Sequence, residues 1–177
     1  ISPYVHPLMT RTLNLLGTAA AQAMDEKGLP GAEHMGEFYD FWYPGYIDYG
    51  NFFHNVVSMF SEVGLHTSPS PRFYSVRDFP PEHQALLPTS LHASLWRGGW
   101  WRQRDSINIM LATTWSTLDM SAKFRERFLY NRYVAGRDTI RHYSESPPYA
   151  YFIPVQQRDP VAAVELLRRL AFHDVAV

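Results

Sequence analysis

The chain has no cysteine among its 177 residues. Disulfides and thiolate metal ligands are thereby excluded, and any metal would have to be held by His, Asp or Glu. Charge of one sign is lacking too: Lys and Arg number 16 against 17 Asp and Glu, for a formal net charge of -1. With no basic stripe, no nucleic-acid partner is expected. No apolar run is long enough to cross a bilayer as a helix, so no membrane span is expected either. The phosphate-cradling patterns G-x-G-x-x-G and G-x-x-x-x-G-K are missing, as is the G-x-S-x-G elbow. Nucleotide cofactors and serine-hydrolase chemistry therefore find no support.

What the chain does have is rigid loop material, with 15% aromatic residues and 13 prolines. Aromatic side chains on such loops commonly wall a binding cleft. Between the loops, the pattern predicts a helix over 8–27, opened by Pro7 and closed by Gly28, with Leu8, Leu13, Leu16, Ala20 and Met24 as its apolar stripe. One helical turn is expected near 49–54. The segment 63–101 shows no sustained period and reads as a packed loop anchored by Phe73, Tyr74, Phe79, Trp96, Trp100 and Trp101. Over 102–143 the pattern turns helical, as one helix or two joined near Asp119, with Ile107, Met110, Leu111, Trp115, Leu118, Phe124, Phe128 and Leu129 as its apolar face. Ser144-Glu145-Ser146-Pro147-Pro148 ends it. Beyond lie a strand over 149–155, a helix capped by Asp159 with Pro160 in its first turn, and a second strand begun by Val175, together the start of a βαβ unit. The division expected is therefore 1–146 and 147–177. The opening Ile1-Ser2-Pro3-Tyr4 is neither an initiator Met nor a signal peptide and reads as the edge of a segment cut from a longer chain.

The chemistry concentrates around Tyr43-Pro44-Gly45-Tyr46 and the apolar run 56–60, which reads as a buried strand with Glu62 at its carboxyl end. Ligands of open α/β sheets bind outside the carboxyl ends of the strands, where a carboxylate is placed to move a proton. The plainer alternative is a solvated acid that opens a loop. His34-Met35-Gly36-Glu37 spells H-x-x-E, two residue types that can hold zinc together. No second histidine stands at a helpful spacing, and the same pattern arises by chance. His54, on the approach to the run, reads as a hydrogen-bonded loop histidine. Arg97-Gly98-Gly99-Trp100-Trp101-Arg102 is either an anion-binding turn or a tight turn pinned by two indoles.

Taken in order, Tyr43-Pro44-Gly45-Tyr46, Phe60-Ser61-Glu62, the Arg97–Arg102 run just quoted, Leu129-Tyr130-Asn131-Arg132-Tyr133 and Gly136-Arg137-Asp138 resemble the large bacterial zinc carboxypeptidases of the M14 family. The resemblance runs almost the whole length and covers the C-terminal part of that catalytic domain. It implies a three-layer α/β/α sandwich around a mixed, mostly parallel sheet. It implies hydrolysis of C-terminal residues from a peptide substrate, with Glu62 matching the general base that acts on zinc-bound water. The family's substrate-closing tyrosine has Tyr39, Tyr43 and Tyr46 as candidates here. Zinc is the implied cofactor of the parent protein, with its ligands ahead of Ile1, and His34 and Glu37 fall on the wrong side of the first helix to match them. The arginine that grips the terminal carboxylate is implied upstream as well. A following domain of the same chain and an extracytoplasmic setting, periplasmic or secreted, are also implied. The rival reading is a non-catalytic peptide- or glycan-binding α/β domain derived from that fold, in which Glu62 accepts a hydrogen bond and nothing more.

Overall fold

A computed structural model describes residues 4–34, 43, 45–64 and 70–177. The first helix, α1 (Pro7–Glu26), begins where His6 accepts a hydrogen bond from the Leu8 N–H through Nδ1 and Pro7 supplies a preset φ. It ends where Gly28, at φ 64, turns the chain so that the Gly28 and Leu29 N–H groups donate to the carbonyls of Asp25 and Met24. Glycine takes that left-handed conformation without a Cβ clash, which is why the helix stops there. The buried positions are Met9, Thr12, Leu16 and Ala20, the three-and-four spacing of one helical face.

Two longer helices follow: α2 (Gln103–Lys123) and α3 (Arg125–Glu145). Asp105 opens α2 by accepting the Arg102 N–H at 2.7 Å. The break falls at Phe124 rather than near Asp119, because the Lys123–Asp119 pair at 2.6 Å spans a full helical turn there. Phe124 leaves helical geometry and its ring stacks on Phe128 across the break, with centroids 6.2 Å apart. The side of α2 that packs on α1 is built from small residues, Ala112 and Thr113, which let the two helices approach closely. Its large apolar residues turn out to be partly or largely exposed, Trp115 at 64% and Leu118 at 55%, so the expected apolar face is not the buried one.

The hydrophobic core lies at the start of α1. Val5 and Met9 pack with Tyr49 and Phe52 from the 3-10 turn Gly50–His54 and with Ala135 of α3. Asn131 donates to the Thr12 hydroxyl at 3.3 Å, and His6 stands 3.8 Å from Asp138, which fixes α3 against α1.

Here the expected architecture is corrected. The described residues form a mostly helical structure whose sheet has only two antiparallel strands, β1 (Arg72–Tyr74) and β2 (Gly99–Trp101). There is no three-layer α/β/α sandwich with a mostly parallel sheet. The run 56–60, read as a buried strand, has no regular secondary structure, and neither do 149–155 or the stretch begun by Val175. A strand is stabilised by its neighbours' hydrogen bonds, and none of these apolar runs meets a partner strand among the described residues. The residues that do pair belong to the segment read as a packed loop. Phe73 stands opposite Trp100 in the ladder, and their rings meet edge to face at 5.7 Å.

The hairpin depends on Gly98, which has φ 85 and where an added Cβ would lie 2.7 Å from the Tyr74 carbonyl oxygen. Both the backbone conformation and the space exclude a side chain. Gly98→Ala is expected to destabilise the protein by about 2 kcal/mol, measured as a fall in the urea midpoint; an unchanged midpoint would show that the turn relaxes freely.

The chain divides into two compact units, Ile1–Asp138 and Thr139–Val177. Within the second, α4 (Pro160–Phe172) begins as expected: Asp159 accepts the Ala162 N–H at 3.0 Å and Pro160 occupies the first turn. No helix among the described residues is long and apolar enough to cross a membrane.

Candidate functional site

Small residues on α1 make room for a cavity. Beside its buried face, the helix turns Leu13, Gly17, Ala21 and Met24, together with Ala20 at the edge of that face, toward a space of about 660 Å³ in the first unit. That volume suits a small molecule or one or two residues of a peptide. Opposite α1 stands the aromatic cluster of the hairpin. Trp96 is its hub, with ring centroids 5.3 Å from Trp101 and 5.7 Å from both Tyr74 and Phe79. Tyr49 and Phe52 extend the apolar wall from the core side. The loop that carries Gly31 and His34 is tied down by donation from Gly31 N–H to the Ser94 carbonyl at 2.7 Å and from His34 N–H to Leu91 at 2.8 Å.

Glu62 lines this cavity together with Ser58, Phe60 and Ser61. The apolar run 56–60 predicts Glu62 at the end of a sheet strand. The structure puts it in an irregular segment, exposed to solvent at the edge of an aromatic space. His34 is also in the lining, its Nε2 3.4 Å from where a Cβ on Gly17 would lie, so the glycine gives the imidazole its place against α1. The partner that would complete H-x-x-E, Glu37, lies outside the described residues. His54 is exposed and lies outside the lining.

The tyrosines fare differently. Tyr39 lies outside the described residues. Tyr43 and Tyr46 meet each other edge to face at 5.0 Å and are 53% and 42% exposed, and neither lines the cavity with Glu62. Tyr49, which the sequence reading passed over, does line it and is only 5% exposed. Its signal was spacing: Tyr49 and Phe52 stand three apart on one helical turn, so one side of that turn faces inward.

The charges at the cavity are of one sign. Glu33, Asp48, Glu62 and Asp78 line it beside His34, with no Lys or Arg in the lining among the described residues. Asp78 has a second task, capping the short turn Val76–Asp78: it accepts the Ser75 N–H at 2.7 Å and the Ser75 hydroxyl at 2.8 Å. Those two bonds, with the nearby Arg72 guanidinium, hold its carboxyl below the ordinary value of 3.8. A depressed folded-state pKa means the contribution to stability is complete above the unfolded value and is lost as pH falls through the folded one. The cap is thus expected to stay intact at mildly acid pH and to loosen only in strong acid. In an NMR titration, Ser75→Ala, which keeps the backbone N–H and removes the hydroxyl, should move the Asp78 midpoint part of the way upward, and an unmoved midpoint would remove the hydroxyl as a cause.

Chemically, the arrangement is an apolar, aromatic-walled cleft with acceptors at its edge and a carboxylate exposed to water. It can hold an apolar side chain, and it can take a proton or a hydrogen bond from whatever lies over Glu62. The described residues contain no group of three His, Asp or Glu able to hold a metal ion. They therefore do not by themselves fit zinc. In class, the first unit is a helical domain with a ligand-sized cleft. No family model matches the chain, and no match is found among curated proteins or solved structures.

Proposed function

We propose that this chain carries the base and part of the substrate cleft of a zinc carboxypeptidase, an enzyme that removes residues from the C-terminus of peptides. The observation that supports this most is the place of Glu62, which shares one cavity of about 660 Å³ with an aromatic wall. The sequence resemblance assigns that same glutamate the role of general base. In this reading the side chain of the peptide's last residue enters between α1 and Trp96. Glu62 takes the proton of the attacking water and returns it to the leaving amine, a role that suits a solvent-reached carboxylate beside a substrate-sized space.

No step is assigned through the metal, because the described residues provide no set of ligands for it. The substrate's terminal carboxylate also needs a cation, and the lining supplies neither Lys nor Arg. In the proposed enzyme both requirements fall to residues other than those of this cavity. The binding half of the proposal is testable on the 177-residue chain itself. Peptides ending in Leu or Phe should change the emission of Trp96 and Trp101, and peptides ending in Gly should do so far more weakly. Equal response to all three would remove the cleft as the side-chain pocket. Binding that is not followed by hydrolysis, once zinc ligands are supplied, would favour the rival reading of a non-catalytic peptide-binding domain.

A further inference from the structure

A second cavity, of about 490 Å³, opens in the first unit between α1, α2, the start of α3 and the segment 55–61. Met59, Ser61 and Thr113 line both spaces, so the two cavities are neighbours. Their chemistry differs. Where the first is lined by acids, Arg132 is the one charged residue in the lining of the second among the described residues, and no ion-pair or hydrogen-bond partner of Arg132 is found among them.

The polar wall comes from α2. Thr114 and Thr117 donate their hydroxyl protons to the carbonyls of Met110, at 2.8 Å, and Thr113, at 2.9 Å. Their oxygens keep only lone pairs and can accept from a ligand but not donate to it. Thr113 is the reverse case. It is 5% exposed, and its Oγ1 is buried without a hydrogen-bond partner among the described residues. That oxygen is closed off from the cavity, so Thr113 contributes wall rather than a ligand contact, and the acceptors open to a ligand are those of Thr114 and Thr117. Ser61, Ser121 and Arg132 add further donors, while Met9, Leu16 and Leu118 give the space an apolar side.

We propose that this cavity binds a small monocarboxylate that carries a hydrogen-bond donor beside the carboxylate, that is, an amino acid or a hydroxy acid. The carboxylate pairs with Arg132, the amine or hydroxyl donates to the threonines of α2, and the apolar part lies against α1. The assignment does not rest on the role of Glu62, which does not line this cavity.

The test is a calorimetric or ligand-observed NMR titration of the 177-residue chain with three probes: L-leucine, leucinol and 4-methylpentanoate. Leucinol lacks the carboxylate, and 4-methylpentanoate lacks the amine. L-leucine is expected to bind, with each of the other two at least about tenfold weaker, the size of effect a lost charge-assisted hydrogen bond produces. Arg132→Gln should weaken L-leucine by a similar factor, and Thr117→Val, which removes an acceptor from the lining, should weaken it by less. Arg132 is exposed, so its replacement leaves the core untouched, and the three probes give the answer on the unaltered chain even if a variant fails to fold. No binding of L-leucine at millimolar concentration would overturn the proposal. So would equal binding of leucine and leucinol, or an Arg132→Gln chain that binds as well as the original.

Discussion

In the proposed zinc carboxypeptidase, replacing Glu62 with Gln is expected to lower turnover about a thousandfold, the middle of the range for removal of a positioned general base. Peptide affinity and metal content are expected to stay close to those of the original. Gln keeps the size of the side chain and one acceptor oxygen but cannot take a proton from water at neutral pH. Because Glu62 is solvent-exposed in a segment without regular structure, the exchange removes no core packing. A loss confined to the rate constant, with little change in KM, identifies an interaction made only in the transition state. A variant that hydrolyses peptides at nearly the original rate would mean that the proton goes elsewhere and that Glu62 is a binding residue.

The second large effect is structural. Trp96 touches Tyr74, Phe79 and Trp101, and it faces the cavity as well. Trp96→Ala is expected to destabilise the first unit by about 3 kcal/mol, since large-to-small changes in packed aromatic clusters lose both transfer energy and edge-to-face contacts. Trp96→Phe should recover more than half of that. The same Ala variant should also lose the response to Leu- and Phe-ending peptides, because one wall of the cleft is gone. Urea unfolding followed by circular dichroism reads the first effect, and direct peptide binding reads the second. A change in stability below about 1 kcal/mol would mean that the aromatic cluster does not depend on Trp96 as its hub.

Local signals in the sequence carried well wherever a chemical marker sits at an element's end. Pro7 and Gly28 bracket α1, and Asp159 with Pro160 opens α4, because caps act within a turn of the chain and need no distant partner. The aromatic anchors around Trp96 were legible for a similar reason: large rings spaced through a proline-rich stretch have to pack on one another. The run 56–60 failed the same kind of reading. Its β-branched, apolar composition is compatible with a strand, but strand formation is decided by a partner's hydrogen bonds, which local composition does not contain. The α/β/α architecture fell with it. On α2 the failure was one of weight. Trp115 and Leu118 looked like core because they are large, whereas close approach to α1 is made by Ala112 and Thr113. The site was half legible. Glu62 was picked out by position and does lie at a cavity, while the tyrosines that line that cavity among the described residues are Tyr49 and Tyr74, and Tyr43 and Tyr46 do not. Thr113 left no trace in the sequence, since an unpaired buried hydroxyl is visible only once its neighbours are placed.

The central claim concerns where on a peptide the reaction takes place, and mass spectrometry of a defined peptide pool reads it directly. The pool is incubated with the proposed enzyme in zinc-loaded form and, in parallel, with its Glu62→Gln variant, and half of the peptides carry a C-terminal amide. Loss of single residues from the free C-termini alone, by the enzyme and not by the variant, is the predicted result. Unchanged masses throughout, cleavage at internal bonds, or equal processing by the variant would contradict it.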